Sequence, residues 1–311
     1  MLNIIFMGTP DFAVPSLKFL INSPDYNVVL AVSQPDKPVG RKQILMPTAV
    51  KQTALEGSVE VYQPATLKSD EAYEKLASYN PDFIVVAAYG NILPQRVLDI
   101  PKYACVNLHG SLLPKYRGAA PIQRSVIDGE KESGVTTMLM AAGLDTGDIL
   151  LVRKTPIDKY ETAGELFDRI ADMCPEVLDE TLKGLAAGTL NSIPQDDALA
   201  THAAMLNKEE AVIDWNNSAE KIHNLIRGTD PWPVARTYYD GRILKLFGSD
   251  FVVDNSNKNI GGLFKQGTDV FVKCGDNSAL KLKDVMPEGS KRMSAQSFIN
   301  GYKDAEGKIL G

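Results

Sequence analysis

Histidine is scarce in this sequence of 311 residues, and only one of its three histidines has polar neighbours suited to chemistry. In VNLHGSLLPKYRG, Asn107 and His109 lie two residues apart at the end of a predicted strand, so their side chains point to one face. Ligands bind at the carboxyl ends of strands in open α/β sheets. The imidazole there is available as a near-neutral acid or base, although an isolated Asn-x-His is more often a strand end that caps loop backbone.

A second polar segment, GLDTGDIL, places Asp145 between Gly143 and Gly147 in a predicted loop. A carboxylate on such a loop could orient a histidine and stabilise its protonated form, and glycines let backbone approach a flat ligand closely. Taken alone, the segment is more typical of a turn whose aspartates accept nearby N–H groups.

Several other kinds of site are not supported by the residue pattern. No GxSxG, GxGxxG or Walker A motif is present, and no metal-ligand spacing occurs, so we expect no metal site. The cysteines Cys105, Cys174 and Cys274 are far apart and odd in number, which favours a reducing cytoplasm over a disulfide framework. The first apolar run ends at Gly8, too soon for a signal peptide or a membrane span.

The elements that must position these residues follow from alternating patterns. Apolar runs such as LNIIF, NVVLAVS and DFIVVAAYG alternate with helical segments, which predicts an α/β domain with a parallel sheet flanked by helices. Further strands are predicted at YACVNLH, GVTTMLM and DILLVRK, before a long helix in TAGELFDRIADMCPEVLDETLKGLAAG. A chain of this length favours two domains.

The remainder of the chain has a different pattern. We predict a first domain over 1–189, a linker over 190–206, where turn formers replace aromatic residues, and a second domain over 207–311. The second domain begins with a helix at SAEKIHNLIRG and continues with short strands separated by turns, which predicts a small β-barrel.

The phrase VNLHGSLLPKYRGAAPIQ, followed by GLDTGDIL, resembles the formyltransferase family that uses 10-formyltetrahydrofolate. The segments IIFMGTPDFA, QPDKPVGR and AYGNILP extend the resemblance over nearly the whole length. It implies a Rossmann-like formyltransferase domain followed by a smaller OB-like β-barrel domain, in agreement with the strand pattern. Glycinamide ribonucleotide formyltransferase has a similar Asn, His and Asp but ends near the predicted linker.

The resemblance also implies roles for individual residues. The family's catalytic residues fall on Asn107, His109 and Asp145. Asn107 and a protonated His109 would stabilise the tetrahedral intermediate, with Asp145 as proton relay. The co-substrate would be 10-formyltetrahydrofolate, with no metal required. The family's folate-contacting segment falls on Ser111, Leu112, Leu113 and Pro114.

The implied acceptor is initiator methionyl-tRNA, formylated for translation initiation by a cytoplasmic monomer. The loop after the second strand makes Arg41 and Lys42 the candidates for tRNA binding. The second domain would contact tRNA through basic residues, of which the candidates are Arg227, Arg242, Lys245, Lys281, Lys283, Lys291 and Arg292. From Leu206 onward 15 Lys and Arg face 14 Asp and Glu, so this domain is less acidic than the chain as a whole, whose net charge is -6.

Two other functions remain open on the sequence alone. The same chemistry could deliver formyl to an amino sugar nucleotide, which has less need of a basic loop and a second domain. A barrel can also bind RNA, or a pocket bind folate, without catalysis, because a fold by itself does not prove activity.

Overall fold

The computed structural model describes residues 1–39, 43–302 and 304–311. The chain forms two compact units, each built from separate stretches of sequence. Unit 1 comprises Met1–Gly118, Ser133–Thr155 and Phe167–His202, and unit 2 comprises Ala119–Glu132, Pro156–Leu166 and Ala203–Gly311. The boundaries 1–189, 190–206 and 207–311 stay a prediction.

Regular elements cover most of the described residues. The strands are β1 (Leu2–Gly8), β2 (Tyr26–Val32), β3 (Lys37–Val39), β4 (Ile44–Met46), β5 (Val61–Tyr62), β6 (Phe83–Ala87), β7 (Ala104–His109), β8 (Arg117–Gly118), β9 (Glu132–Leu139), β10 (Ile149–Pro156), β11 (His202–Ala203), β12 (Arg236–Tyr239), β13 (Arg242–Val253), β14 (Leu263–Gln266), β15 (Asp269–Cys274), β16 (Ser278–Pro287) and β17 (Met293–Ser294). The α-helices are α1 (Val14–Asn22), α2 (Ala49–Glu56), α3 (Asp70–Ala77), α4 (Gln95–Leu98), α5 (Pro121–Ile127), α6 (Ala163–Ala187), α7 (Ala219–Gly228) and α8 (Ala295–Gly301).

Unit 1 is built on a sheet with the strand order β10-β9-β7-β6-β1-β2-β5. The strands from β7 to β5 pair in parallel, which confirms the predicted α/β sheet. β9 runs antiparallel to β7, a difference from the prediction. The chain re-enters the sheet beside the carboxyl end of β7, so β9 starts where β7 finishes.

The central strands of this sheet are apolar on both faces. Every residue of β6 is buried, as expected where helices cover both faces of a parallel sheet. Side chains of Ile5, Leu30 and Ile84 from three neighbouring strands lie in one buried cluster. This rigid centre holds the carboxyl ends of the strands at fixed positions.

Unit 2 contains an antiparallel sheet in the order β12-β13-β16-β15-β14, with β17 paired to β16. The short strands predicted for the second domain are therefore confirmed, and they pair antiparallel. Trp215 is buried and donates its indole N–H to the Thr237 hydroxyl at 3.0 Å. Helix α7 packs on α5 so closely that a Cβ at Gly228 would lie 2.9 Å from the backbone nitrogen of Ile127.

The three cysteines are free thiols in buried positions. Burial raises the pKa of Cys105, Cys174 and Cys274 to about 12. The thiolate is the nucleophilic form of cysteine, so a raised pKa makes these thiols poor nucleophiles near neutral pH.

Candidate active site

Strand β7 carries the first two predicted catalytic residues. Asn107 lies opposite Met138 and His109 opposite Thr136 of β9, and only 8% and 6% of their surfaces are exposed. His109 is the last residue of β7. The sequence placed both residues at a strand's carboxyl end, and the structure confirms this position.

The His109 ring has two distinct nitrogen environments. Nε2 lies 2.9 Å from the carbonyl oxygen of Tyr116. A carbonyl only accepts hydrogen bonds, so Nε2 carries a proton in both the neutral and the charged ring. Nδ1 faces Asp145, with 3.7 Å between Nδ1 and Oδ2. This distance is longer than a hydrogen bond, so Nδ1 has a charged neighbour but no hydrogen-bond partner among the described residues.

Asp145 is brought to the histidine by the loop between β9 and β10. Its Oδ2 accepts the backbone N–H of Gly118 at 2.9 Å, and its side chain is 13% exposed. Oδ1 accepts no hydrogen bond from the residues that the structure describes. The carboxylate therefore has one oxygen fixed by backbone and one oxygen free for water or substrate.

The two glycines of this loop have steric reasons to be there. A Cβ on Gly147 would lie 1.8 Å from the carbonyl oxygen of Leu139, and one on Gly143 would lie 2.3 Å from the Thr146 hydroxyl. Real side chains do not approach backbone this closely, so a larger residue at position 147 would push the loop away from β9.

The Asn107 side chain forms no structural hydrogen bond with the described residues, although the residue is buried. Neither its oxygen nor its nitrogen is among the polar atoms that are cut off from solvent without a partner, so the carboxamide reaches solvent. A substrate oxygen placed beside the carboxamide would provide the missing partner.

Residues 111–114 lead into a turn and are held by hydrogen bonds from within unit 1. The Ser111 hydroxyl donates to the Lys115 carbonyl at 2.8 Å, and the Thr136 hydroxyl donates to the Ser111 carbonyl at 2.6 Å. Ser111 and Leu113 are buried, whereas Leu112 and Pro114 keep part of their surface exposed. The predicted folate contact of all four residues stays a prediction.

The tRNA candidates Arg41 and Lys42 lie outside the described residues. The neighbouring strand β4 presents Ile44, Leu45 and Met46 to solvent, with 57%, 64% and 49% of their surfaces exposed. The sequence prediction named only the cations of this loop and not its aliphatic side chains.

In unit 2, the prediction of a surface role for Arg227 is wrong. Arg227 is 5% exposed, and its guanidinium donates to the Asn224 side chain at 2.9 Å and to the carbonyls of Asp158 and Glu161 at 3.2 Å. These acceptors hold the cation inside the unit, where no phosphate can reach it.

The other basic candidates of unit 2 are not buried. Lys281 pairs with Asp269 at 2.6 Å, and Arg292 pairs with Asp284 at 2.8 Å. The remaining candidates are Arg242, Lys245, Lys283 and Lys291, all exposed or partly exposed. Their contact with tRNA stays a prediction.

Two residues near Asp145 were missed by the sequence prediction. Gln195, in the predicted linker, donates to backbone carbonyls of the Asp145 loop, and Arg117 donates to Gln195. Arg117 and Gln195 lie 78 residues apart in the sequence, so no periodic pattern indicates that they pair. The sequence shows only that each lies in a polar segment, YRG or PQDD.

Over the described ranges, no three or more His, Cys, Asp or Glu side chains are grouped so that they could hold a metal ion. Nor does any helix of this part of the chain have the length and apolar character needed to cross a membrane.

The chain is similar to known proteins over both of its parts. The Formyl transferase family profile matches residues 2–182, and the Formyl transferase, C-terminal domain profile matches 205–303. The Methionyl-tRNA formyltransferase of Acetivibrio thermocellus is 49% identical over 314 residues, with all of both chains covered. That of Clostridium novyi is 46% identical, over 96% of this chain and 97% of the relative.

A solved structure shares the fold at lower identity. The N-formyltransferase from Helicobacter canadensis, in complex with folinic acid and dTDP-3-aminofucose, has a TM-score of 0.67 and 19% identity, covering 91% of this chain and 99% of that chain. The matches in sequence extend over both parts of the chain. This chain belongs to the formyl transferase family.

Proposed function

We propose that this protein transfers the formyl group of 10-formyltetrahydrofolate to the α-amino group of methionine on initiator methionyl-tRNA. The observation that supports this acceptor most directly is the full-length similarity to relatives named Methionyl-tRNA formyltransferase, at 49% and 46% identity. The proposal places the protein in translation initiation, as a monomer in the cytoplasm.

Asn107 supplies one hydrogen-bond donor for the reaction. When the amine attacks the formyl carbon, the formyl oxygen gains negative charge, and the unpaired carboxamide of Asn107 donates to that oxygen. A donor that has no competing partner in the protein needs no reorganisation before it acts.

His109 acts through Nδ1 in this proposal. Its Nε2–H stays on the Tyr116 carbonyl, which fixes the ring plane. Protonated Nδ1 then donates to the same oxygen from the side of the ring that faces Asp145. The two donors come from one strand face and meet at one reacting atom.

Asp145 has two tasks. Oδ2, 3.7 Å from Nδ1, stabilises the charged imidazolium. Oδ1, which has no partner among the described residues, relays the proton lost by the attacking amine to the folate nitrogen that leaves. A carbon–nitrogen bond forms, another breaks, and one proton moves between the two nitrogens.

The folate co-substrate fits the residues beside this site. The partly exposed surfaces of Leu112 and Pro114 offer apolar contact, and the fixed turn keeps them in place. Bound 10-formyltetrahydrofolate supplies the activated one-carbon group, so the chain itself provides orientation, hydrogen bonds and proton transfer.

The test is transfer of labelled formyl from 10-formyltetrahydrofolate to a panel of acceptors. The panel contains methionine-charged initiator tRNA, charged elongator tRNA, uncharged initiator tRNA, free methionine and a dTDP-amino sugar. Label on charged initiator tRNA in clear preference to the others supports the proposal. Label on the amino sugar, with none on charged tRNA, would replace the proposed acceptor while leaving formyl transfer intact.

A further inference from the structure

The segment before residue 202, predicted as a linker, is bound to the loop that carries Asp145. Nε2 of Gln195 donates to the carbonyl oxygens of Asp145 at 2.9 Å and of Gly147 at 2.7 Å. The backbones of Ile193 and Ile149 exchange two hydrogen bonds of 2.8 Å beside it. One side-chain amide therefore fixes the backbone on both sides of Thr146.

Arg117 determines which way the Gln195 amide points. Its Nε and a terminal guanidinium nitrogen donate to Oε1 of Gln195 at 3.1 and 2.9 Å. Because arginine only donates, Oε1 must face Arg117 and the NH₂ group must face the loop carbonyls. The Arg117 side chain is only 12% exposed, which favours this single arrangement.

The same strand also fixes the Asp145 carboxylate. Gly118, next to Arg117, donates its N–H to Oδ2 at 2.9 Å. The backbone carbonyl of Asp145 and its carboxylate are thus fixed by two neighbouring groups of unit 1. Together these bonds determine the position of the oxygen that faces His109 Nδ1 at 3.7 Å.

The loop needs this support because its own conformation is unfavourable. Asp145 has a φ of 52°, in the left-handed region that non-glycine residues seldom adopt. Its neighbours Leu144 and Thr146 are exposed and provide no buried contacts. Strained residues persist only where surrounding bonds over-determine them.

We propose that Gln195, oriented by Arg117, is a positioning residue for Asp145. This inference rests on the proposed function. It assigns to the segment between the two matched family regions, 2–182 and 205–303, a direct part in maintaining the catalytic geometry.

The test substitutes Gln195→Leu, which keeps the approximate volume and removes every hydrogen bond. We expect kcat to fall by about 10-fold to 100-fold, as a displacement of about 1 Å does in other active sites, with KM for both substrates unchanged. The matched control is Asp197→Asn, because Asp197 accepts from Arg117 at 2.8 Å but has a side chain that is 84% exposed. This variant should keep wild-type kcat.

A double-variant cycle separates positioning from a general structural role. If Gln195 acts through the Asp145 carboxylate, Gln195→Leu should change kcat less than about threefold in an Asp145→Asn background, because neighbouring groups in one network are not additive. An equal loss in both backgrounds, or an unchanged kcat in the single variant, would overturn the inference.

Amide hydrogen exchange provides a second test of the inference, which does not depend on activity. Gln195→Leu should speed exchange in residues 143–148, with the exchange of β6 unchanged. Unchanged exchange in the loop would overturn the inference even if kcat fell. A wild-type protein that transfers no formyl to any acceptor would instead refute the proposed function, and the exchange result would still decide whether Gln195 fixes the loop.

Discussion

Replacement of Asp145 by Asn removes one charge from the site and almost nothing else. Asparagine has the same shape, and its carbonyl oxygen can still accept the Gly118 N–H that Oδ2 now accepts at 2.9 Å. What is lost is the attraction between a carboxylate and the imidazolium of His109. The substitution therefore isolates the electrostatic part of the proposed mechanism.

The size of the effect follows from the geometry. Two unit charges 3.7 Å apart attract by about 2.2 to 4.5 kcal/mol when the effective dielectric constant is about 20 to 40, a range suited to groups that are mostly but not wholly buried. If the charged imidazole is needed in the transition state, the loss corresponds to about 40-fold to 2000-fold in kcat.

The assay is steady-state formylation of charged initiator tRNA, with Asp148→Asn as the matched control. Asp148 lies three residues on and accepts from the Ser192 hydroxyl at 2.9 Å. Its variant should keep kcat within about threefold, because it does not face the histidine. An Asp145→Asn enzyme with wild-type kcat would refute the electrostatic role of Asp145.

Three further substitutions test other parts of the account. Asn107→Ala should lower kcat by about 100-fold to 1000-fold, as loss of one oxyanion donor does in other enzymes. The melting temperature should stay unchanged, because the carboxamide has no partner among the described residues. A large loss of stability would contradict this reasoning. Gly147→Ala places a Cβ 1.8 Å from the Leu139 carbonyl oxygen, so calorimetry should show destabilisation and kcat should fall, whereas Gly301→Ala, which meets nothing within 4 Å, should be neutral. Burial lowers the pKa of His223 below its usual 6.5, so the unfolded chain binds this proton at a higher pH than the folded chain does. The free energy of unfolding should therefore decline as the pH falls below about 6.5. His223→Gln should reduce the difference in melting temperature between pH 7.5 and 5.5. An equal pH dependence in that variant would exclude His223 as its source.

The fold was largely predictable because it depends on periodic patterns. Continuous apolar runs such as that of β6 identify buried parallel strands, and alternation along β7 places Asn107 and His109 on one face. The antiparallel direction of β9 was not predicted, since strand direction depends on where the connecting chain returns.

The site was only partly predictable from its residues. Asp145 lies 36 positions after His109 in the sequence, and the two meet because β9 pairs with β7, with Asn107 opposite Met138. Because the sequence does not reveal this register, only the family resemblance indicated that Asp145 and His109 belong to one site. Gln195 is 50 residues from Asp145 and 78 from Arg117, so no local pattern indicated their network.

Arg227 illustrates the opposite failure. A cation at the end of a helix normally lies at the surface, and the sequence gives no sign of the carbonyl acceptors, at Asp158 and Glu161, that bury it. These acceptors belong to a stretch of chain that packs in unit 2 although it is distant in sequence. Burial of a charge depends on such tertiary partners.

The central claim is that the site formed by Asn107, His109 and Asp145 transfers formyl to charged initiator tRNA. The most direct measurement is kcat for this reaction in wild type and in His109→Ala, with melting temperature and tRNA affinity measured alongside. The account predicts a loss of about 100-fold to 10,000-fold in kcat, the usual contribution of an acid–base group, at unchanged affinity. A His109→Ala enzyme that turns over at the wild-type rate would contradict it.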